Sequence, residues 1–382
     1  MDSAATCDAE YTLERVLYMA IELDDNRWML GFSTGLGQRP RQRNIATRDT
    51  TALEKEIQSA KRRFRLPEDA RVLSCYEAGR EGFWLHRYLI HTGVGNVVVD
   101  AGSLEARKKR RRVKTDRVDL EKLLRMLIRF HAGDRDVWSV VRVPGTGVED
   151  RRQLHRDRWA LSTERTRHIN RIKGLLATQG VSLPVNGDFP AQLDKARTWD
   201  GSPLAPGLAR RLLREHERLQ LVDQQVKAIE QEQRQTLRTS QHPTFTMIRD
   251  LMRLKSIHIQ TAWPFVMELY SWREFQNGKE IGAIVGLEPV PYQSGGMSRE
   301  RGLSKCGNAR LRSLAVEFAW QWLFHQPNSE LSQWFEERFG RRGRRVRKIG
   351  IVALARKLLV ALWRYLETGE IPKGATLKAV VV

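Results

Sequence analysis

Asp116 and Asp119 stand three residues apart at the head of "KTDRVDLEKLLRML". On a helix beginning near Thr115 that spacing puts both carboxylates on one face. Leu120, Leu123, Leu124 and Leu127 continue the same stripe, so the acids point the way the core-facing residues point. A carboxylate pair held there needs a counter-charge, and a divalent cation is the usual one; the simpler role is to favour the helix N-terminus through its dipole. Two more acids end candidate strands: Glu22 closes "YMAIE" and Glu77 closes "VLSCYE". Together Glu22, Glu77, Asp116 and Asp119 are a donor set suited to one or two Mg²⁺ ions. Such a site activates a nucleophile and stabilises a leaving oxygen in phosphoryl transfer. Spacing alone leaves open whether the four meet.

Directly before the acid pair runs "RKKRRRVK", with Arg107, Lys108, Lys109, Arg110, Arg111, Arg112 and Lys114. A solvated loop or a localisation patch would have this composition too. Its adjacency to the carboxylates favours a phosphate-gripping edge. A second basic run, "RFGRRGRRVRK" at 338–348, contains Arg341, Arg342, Arg344 and Arg345 and no acid.

Residues 281–320 hold a different kind of candidate. Ser294 sits in a Gly-rich loop, "YQSGG", where glycine permits close backbone approach to a ligand. Arg299, Arg301 and Lys305 follow, and "GNARLRSLAVEFAW" starts a helix whose Arg310 and Arg312 could face a phosphate. A serine ringed by cations suits a nucleophile attacking a phosphodiester, since the cations stabilise developing charge. With no His or Asp base beside it, an ordinary turn serine is the alternative.

The elements that must position these residues follow from periodicity. Residues 16–34 read as two strands joined at Asp-Asp-Asn, "TTALEKEIQSAKRRF" as a helix, "ARVLSCYEA" as a buried strand, "EGFWLHRYLIHTG" as a helix and "GNVVVDA" as a strand. Alternating strands and helices imply an α/β domain with a mixed sheet. Residues 148–240 are polar and helical: "RRQLHRDRWALSTERTRHINRIKGLLATQG" is one long helix, with breaks at "VSLPVNGDFP" and "SPLAPG". In the next helix Leu212, Leu219, Val222, Val226 and Ile229 mostly follow a/d spacing, as in a short coiled coil or a packed helical hairpin. The expected organisation is an α/β domain over 14–147, a helical coiled-coil linker over 148–240 and a mostly helical domain over 245–382.

Composition bounds the partners. The chain of 382 residues carries a net charge of +21 and a pI of about 10.4. Such an excess repels itself in the compact state unless a polyanion neutralises it, and nucleic acid is the default polyanion. No basic amphipathic helix with a bulky apolar face suggests a membrane surface. Cys7, Cys75 and Cys306 are isolated, so neither a disulfide framework nor a zinc site is indicated. "MDSAATCDAEYTLER" has no apolar core, and the run Ile349 to Trp363 is broken by Arg356 and Lys357. These features fit a soluble, cytoplasmic protein with no membrane partner.

Taken in order, "YMAIE", "CYEAGREG", "KTDRVDLEKL", "IGAIVGLEPVPYQSG", "RGLSKCGNARLR" and "RKIGIVALARKLLVALW" make the chain resemble the bridge-RNA-guided insertion-sequence transposases, or serine recombinases. The resemblance covers most of the chain. It implies an RNase-H-like (RuvC-like) N-terminal domain whose acidic tetrad falls on Glu22, Glu77, Asp116 and Asp119 with Mg²⁺. It also implies a C-terminal transposase domain whose nucleophile is Ser294. The implied assembly is a tetramer, a dimer of dimers, around a guide RNA whose loops pair with donor and target DNA, in a bacterial or archaeal nucleoid. There the acidic domain of one subunit and the serine domain of another form a composite site, and the serine joins DNA covalently during strand exchange. The lack of a GxxxxGK[ST] motif agrees, because a phosphoserine link conserves bond energy without a nucleotide. Two departures stand out. The first acid is Glu22 where the family usually has aspartate, with Asp24 and Asp25 close by as substitutes. Ser256 and His258 in "LKSIHIQTAW" replace glycines of a phosphate-gripping helical hairpin. A metal-only nuclease or junction resolvase using the four acids, and a non-catalytic nucleic-acid-binding scaffold, are the rival expectations.

Overall fold

The apolar alternation of "LYMAIEL" and "RWMLGFS" produces two antiparallel strands, β1 (Leu17–Leu23) and β2 (Arg27–Ser33), joined where Asp24 Oδ1 accepts from the Asn26 amide at 3.0 Å. In this computed structural model the described residues are 15–100, 103, 116–294, 297–303 and 307–378, with backbone only for 116–118, 290–294 and 297–301. The chain divides into two compact units, one ending at Val143 and the other beginning at Pro144.

In the first unit β3 (Arg41–Ala46) extends the hairpin. The helix α1 (Thr50–Arg63), capped by Asp49 on the Ala52 amide at 2.8 Å, returns the chain to β4 (Val72–Glu77), which lies parallel to β1. Then α2 (Trp84–His91) leads to β5 (Gly95–Val99), parallel to β4. The sheet order is β3-β2-β1-β4-β5. Side chains alternate across it. Leu17, Met19 and Ile21 join a core that includes Leu53 and Ile57 of α1 and Leu85 and Leu89 of α2. Tyr18 and Ala20 join Cys75 and the buried leucines of α3 (Asp116–His131) on the opposite face. The sheet is therefore covered on both faces.

The second unit begins with α4 (Thr146–Arg151), α5 (Gln153–Ala177), α6 (Phe189–Lys195) and α7 (Pro206–Thr239). α5 and α7 run antiparallel: Arg158 meets Glu230, Arg165 meets Asp223 and Arg171 meets Glu215. Of the a/d-spaced residues, Leu212, Leu219 and Val222 are buried and Val226 and Ile229 half-buried. The packed hairpin within one chain is thus the form that the spacing takes here. The remaining helices are α8 (Pro243–Met252), α9 (Ile259–Phe265) running into a π-helical turn at Val266–Tyr270, α10 (Gly278–Val285), α11 (Ala309–His325), α12 (Glu330–Phe335) and α13 (Arg344–Thr368). They share one core around Phe265, Phe318, Trp322, Leu354 and Leu358. Between α10 and α11 lies a hairpin of β6 (Pro289–Ser294) and β7 (Met297–Leu303). By contacts, the helical stretch expected to be a linker belongs to the same unit as these C-terminal helices. Among the described residues no helix is long and apolar enough to cross a membrane.

Two buried carboxylates fasten this unit. Glu268, in the π-helical turn, accepts from Arg152 Nε at 3.0 Å and from Arg156 Nε at 2.8 Å, and meets His155 Nε2 at 3.1 Å. Burial alone would raise its pKa, but the bonds from His155, Arg156 and Arg152 outweigh that and hold it well below the usual carboxylate range. Glu215 on α7 is held by His168 at 2.7 Å, Arg171 at 2.9 Å and Arg218 at 2.8 Å.

Candidate active site

Strand register decides where the acids go. Ile21 of β1 pairs with Tyr76 of β4, so one step on Glu22 and Glu77 are neighbours on adjacent parallel strands, where strands lie about 4.8 Å apart. Alternation puts both on the face that carries Tyr18, Ala20 and Cys75, which is the face α3 covers. Burial, and then the charge of Glu77, push the Cys75 thiol pKa strongly up, which agrees with Glu77 standing on that face.

α3 crosses this face antiparallel to β1. Its C-terminal His131 Nδ1 meets the Tyr18 hydroxyl at 2.8 Å, near the start of the strand. Nearer its other end, Leu120 sits on Gly31, the β2 partner of Ala20; a Cβ there would come within 3.0 Å of Leu120 Cγ. Gly31 is thus the gap that lets α3 lie close to the sheet. The first turn of α3, with Asp116 and the half-buried Asp119, therefore comes at the end of the sheet where β1 and β4 finish in Glu22 and Glu77. The donors are all hard carboxylate oxygens, the kind Mg²⁺ takes. Among the described residues no three Asp, Glu, His or Cys side chains form a ready cage, and the Asp116 side chain is outside that set. Asp24 and Asp25 lie in the β1–β2 turn, where Asp25 pairs with Arg80. The basic run Arg107 to Lys114 lies outside the described residues.

Ser294 belongs to the second unit. It is the last residue of β6 and pairs with Met297, the first of β7, so it stands at a hairpin end rather than in an irregular loop. Gly295 and Gly296, which separate the strands in sequence, lie outside the described residues, as does Lys305, and Arg299 and Arg301 are described by backbone only. After the hairpin, Asn308 caps α11 by accepting from the Arg310 and Leu311 amides at 3.0 and 3.2 Å. Arg310 is exposed over the Trp159 ring, whereas Arg312 Nη1 donates to the Val285 carbonyl at 3.2 Å. Arg341, Arg342, Arg344 and Arg345 are exposed where the chain enters α13.

The segment with the replaced glycines does form a helical hairpin, α8–turn–α9. Ser256 in its turn is fully buried and its hydroxyl finds no partner among the described residues. His258 precedes α9; burial first, then Lys378 and His325, lower its pKa. Residues 376–378 cover this turn: Lys378 Nζ donates to the Ile257 carbonyl at 2.6 Å and the Lys255 amide donates to the Thr376 carbonyl at 3.1 Å. Sequence reasoning missed these tail contacts, since nothing local ties residue 378 to residue 257.

Relatives decide the family. The model of the IS116/IS110/IS902 transposase family matches residues 248–333, a span that runs from α8 into α12 and includes the β6–β7 hairpin. The y4rJ protein of Sinorhizobium fredii, designated a transposase, is 39% identical over 378 residues, 95% of this chain and 94% of its own length. The chain belongs to the IS116/IS110/IS902 transposase family. More distant relatives are similar over part of their length: the transposase for insertion sequence element IS1328 of Yersinia enterocolitica is 28% identical over 55% of this chain and 60% of its own. The transposase for IS1111A of Coxiella burnetii is 28% identical over 60% and 62%. In this transposase Ser294 lies within the family-matched span and the acids Glu22, Glu77, Asp116 and Asp119 lie before it.

Proposed function

We propose that this transposase is guided by a structured RNA to join donor and target DNA, that Ser294 is its nucleophile, and that Glu22, Glu77, Asp116 and Asp119 hold Mg²⁺. The observation that supports the reading is the approach of two strand ends, β1 and β4, to the first turn of α3, so that acids from three distant stretches come to one end of the five-stranded sheet. A bound divalent ion would there supply Lewis-acid stabilisation of charge developing on phosphate oxygens. The chain's own residues do the rest. The four carboxylates would fix the ion's place, and Glu22, one methylene longer than aspartate, would reach it from farther back on β1.

Ser294 Oγ attacks a DNA phosphorus; the Oγ–P bond forms while the P–O bond to one flanking sugar breaks. The serine proton is released, and the leaving sugar oxygen takes one up. The phosphoserine link keeps the phosphodiester energy, so the freed end of another strand can displace serine without a nucleotide. The exposed Arg341, Arg342, Arg344 and Arg345, together with Arg310, would hold phosphates, as would Arg107 to Lys114 beside the acids. Assembly as a tetramer around the guide RNA completes the reading.

Denaturing gels with end-labelled junction DNA, Mg²⁺ and the RNA transcribed from the flanking DNA test it. The wild type and Ser298→Ala should leave protein-linked DNA, and Ser294→Ala should leave none while still binding DNA. An adduct with Ser294→Ala would reassign the nucleophile. Cleavage without any adduct in the wild type would make the protein a metal-only nuclease, and no reaction at all a binding scaffold.

A further inference from the structure

A concave surface of the second unit gathers cations that no basic run in the sequence announces. α13 carries Arg356, Lys357 and Arg364 on one side of a groove of about 540 Å³, with Lys279 at the start of α10 and Lys373 in the segment after α13 on the others. Two carboxylates, Glu330 and Glu370, also line it, so cations outnumber acids by five to two. Neither acid is paired with these cations, and Lys279, Arg356, Arg364 and Lys373 make no side-chain ion pair among the described residues. Lys357 lies over the Trp334 ring at 4.8 Å. The floor between the cations is apolar and partly open, formed by Val360, Ala361 and Ile371.

Two glycines build the groove. A Cβ on Gly278 would meet Val360 Cγ2 at 2.8 Å, so only glycine lets the start of α10, with Lys279, lie directly against α13. The stem of Arg356 passes over Gly282, with Cδ 3.3 Å from where a Cβ would stand. The fold thus brings α10 against α13 although like charges gather there, which costs self-repulsion unless an anion comes between them. Lys357 and Arg364 are seven residues apart on α13, roughly 10 Å along the axis. One DNA strand advances about 3.4 Å per phosphate along the duplex axis, so the row spans several phosphates and is too long for a single small anion.

We propose that this groove is a contact surface for the backbone of duplex DNA, distinct from Ser294, from the four acids and from the basic run at 338–348. It rests on the transposase reading only in taking DNA as the polyanion. Its floor of Val360, Ala361 and Ile371 offers base edges no hydrogen-bonding side chain, so the contact is by charge to the phosphates and independent of base sequence.

The test is the salt dependence of binding to a mixed-sequence DNA duplex, read by fluorescence anisotropy on the full chain. Each lost phosphate contact lowers the log–log slope by about 0.9. The triple variant Arg356→Ala/Arg364→Ala/Lys373→Ala should therefore lose about 2.7 from the slope, and Arg356→Lys/Arg364→Lys/Lys373→Arg should keep it. Removing three cations on α7, Arg214→Ala/Lys227→Ala/Arg234→Ala, should leave the slope unchanged. If the alanine triple fails to fold, the exposed single change Lys373→Ala should still lower the slope by about 0.9. A wild-type slope in the folded triple overturns the proposal. So does an equal loss in the α7 control, which would mean that only bulk charge matters, or a loss seen with single-stranded RNA and not with the duplex. Ser294→Ala should show the wild-type slope, so failure of the serine chemistry leaves this result readable.

Discussion

Glu268 is buried in the second unit and Glu77 half-buried in the first, and the fold sets the two carboxylates in different company. Glu268 is held by Arg152, Arg156 and a ring nitrogen of His155, and Glu215 by Arg171, Arg218 and a ring nitrogen of His168; each negative charge is answered by two arginines within hydrogen-bond reach. Glu77 is placed beside Glu22 by strand pairing, with the acid pair of α3 arriving at the same sheet end. A carboxylate saturated by fixed cations is a fastening. Carboxylates brought to one end of a sheet repel one another, and a divalent cation between them relieves that repulsion. The second unit therefore uses acids to hold helices, while the first gathers acids from separate segments at one end of its sheet.

Exchanging charge for shape in each place separates the two roles. Asp119→Asn should lower strand exchange by about a thousandfold or more, since a site's Lewis-acid contribution is several kcal/mol, while melting without metal stays level or rises. Wild-type exchange by this variant would remove Asp119 from the site. In the opposite sense, Glu268→Gln should cost about 3–5 kcal/mol, because Arg152 is left buried without its charge partner. Denaturant unfolding of the full chain, followed through Trp272 beneath Arg152, reads it; a loss below about 1 kcal/mol, typical of surface pairs, would show that the network is dispensable.

Smaller effects sharpen the contrast. Gly31→Val would press on Leu120 and lift α3 from the sheet, costing about 1–3 kcal/mol by overpacking. Because Asp119 precedes Leu120, exchange should fall by more than the stability loss accounts for; unchanged exchange would mean that the helix position does not matter.

The pH response is smaller still. Burial, acting against Glu268, lowers the His155 pKa. The unfolded chain then binds a proton that the folded chain refuses, and stability declines as pH falls below about 6.5. Glu268, held low, adds its loss only below the ordinary glutamate pKa of about 4.3. Unfolding free energies from urea titrations at pH 7.5 and 5.5 should differ by no more than about 1.5 kcal/mol for the histidine, with the second unit less stable at the lower pH. A second unit more stable at pH 5.5 would contradict the assignment.

Much of the first unit was legible because its strands alternate cleanly and α1 carries its own cap. β3 was not: "RQRNIA" is an edge strand with only Ile45 well buried, so it lacks an apolar period. The β6–β7 hairpin was hidden by Pro289 and Pro291 and by the charges of "MSRERGL"; its irregular register at the prolines accommodates them. In the hairpin of α5 and α7, spacing marked the buried stripe but left open whether the partner helix lay in the same chain.

By itself the sequence determined the residue types, the helix and strand periods, the excess positive charge and the order of segments shared with other transposases, because each of these is local or additive along the chain. Only the tertiary structure decided which acids share a sheet end, which carboxylates are answered by arginine, and that Lys279, Arg356, Arg364 and Lys373 face one groove. The physical reason is the same in all three. Strand register, the close approach at Gly31 and Gly278, and helix packing bring together residues scores of positions apart, and no local period records those distances.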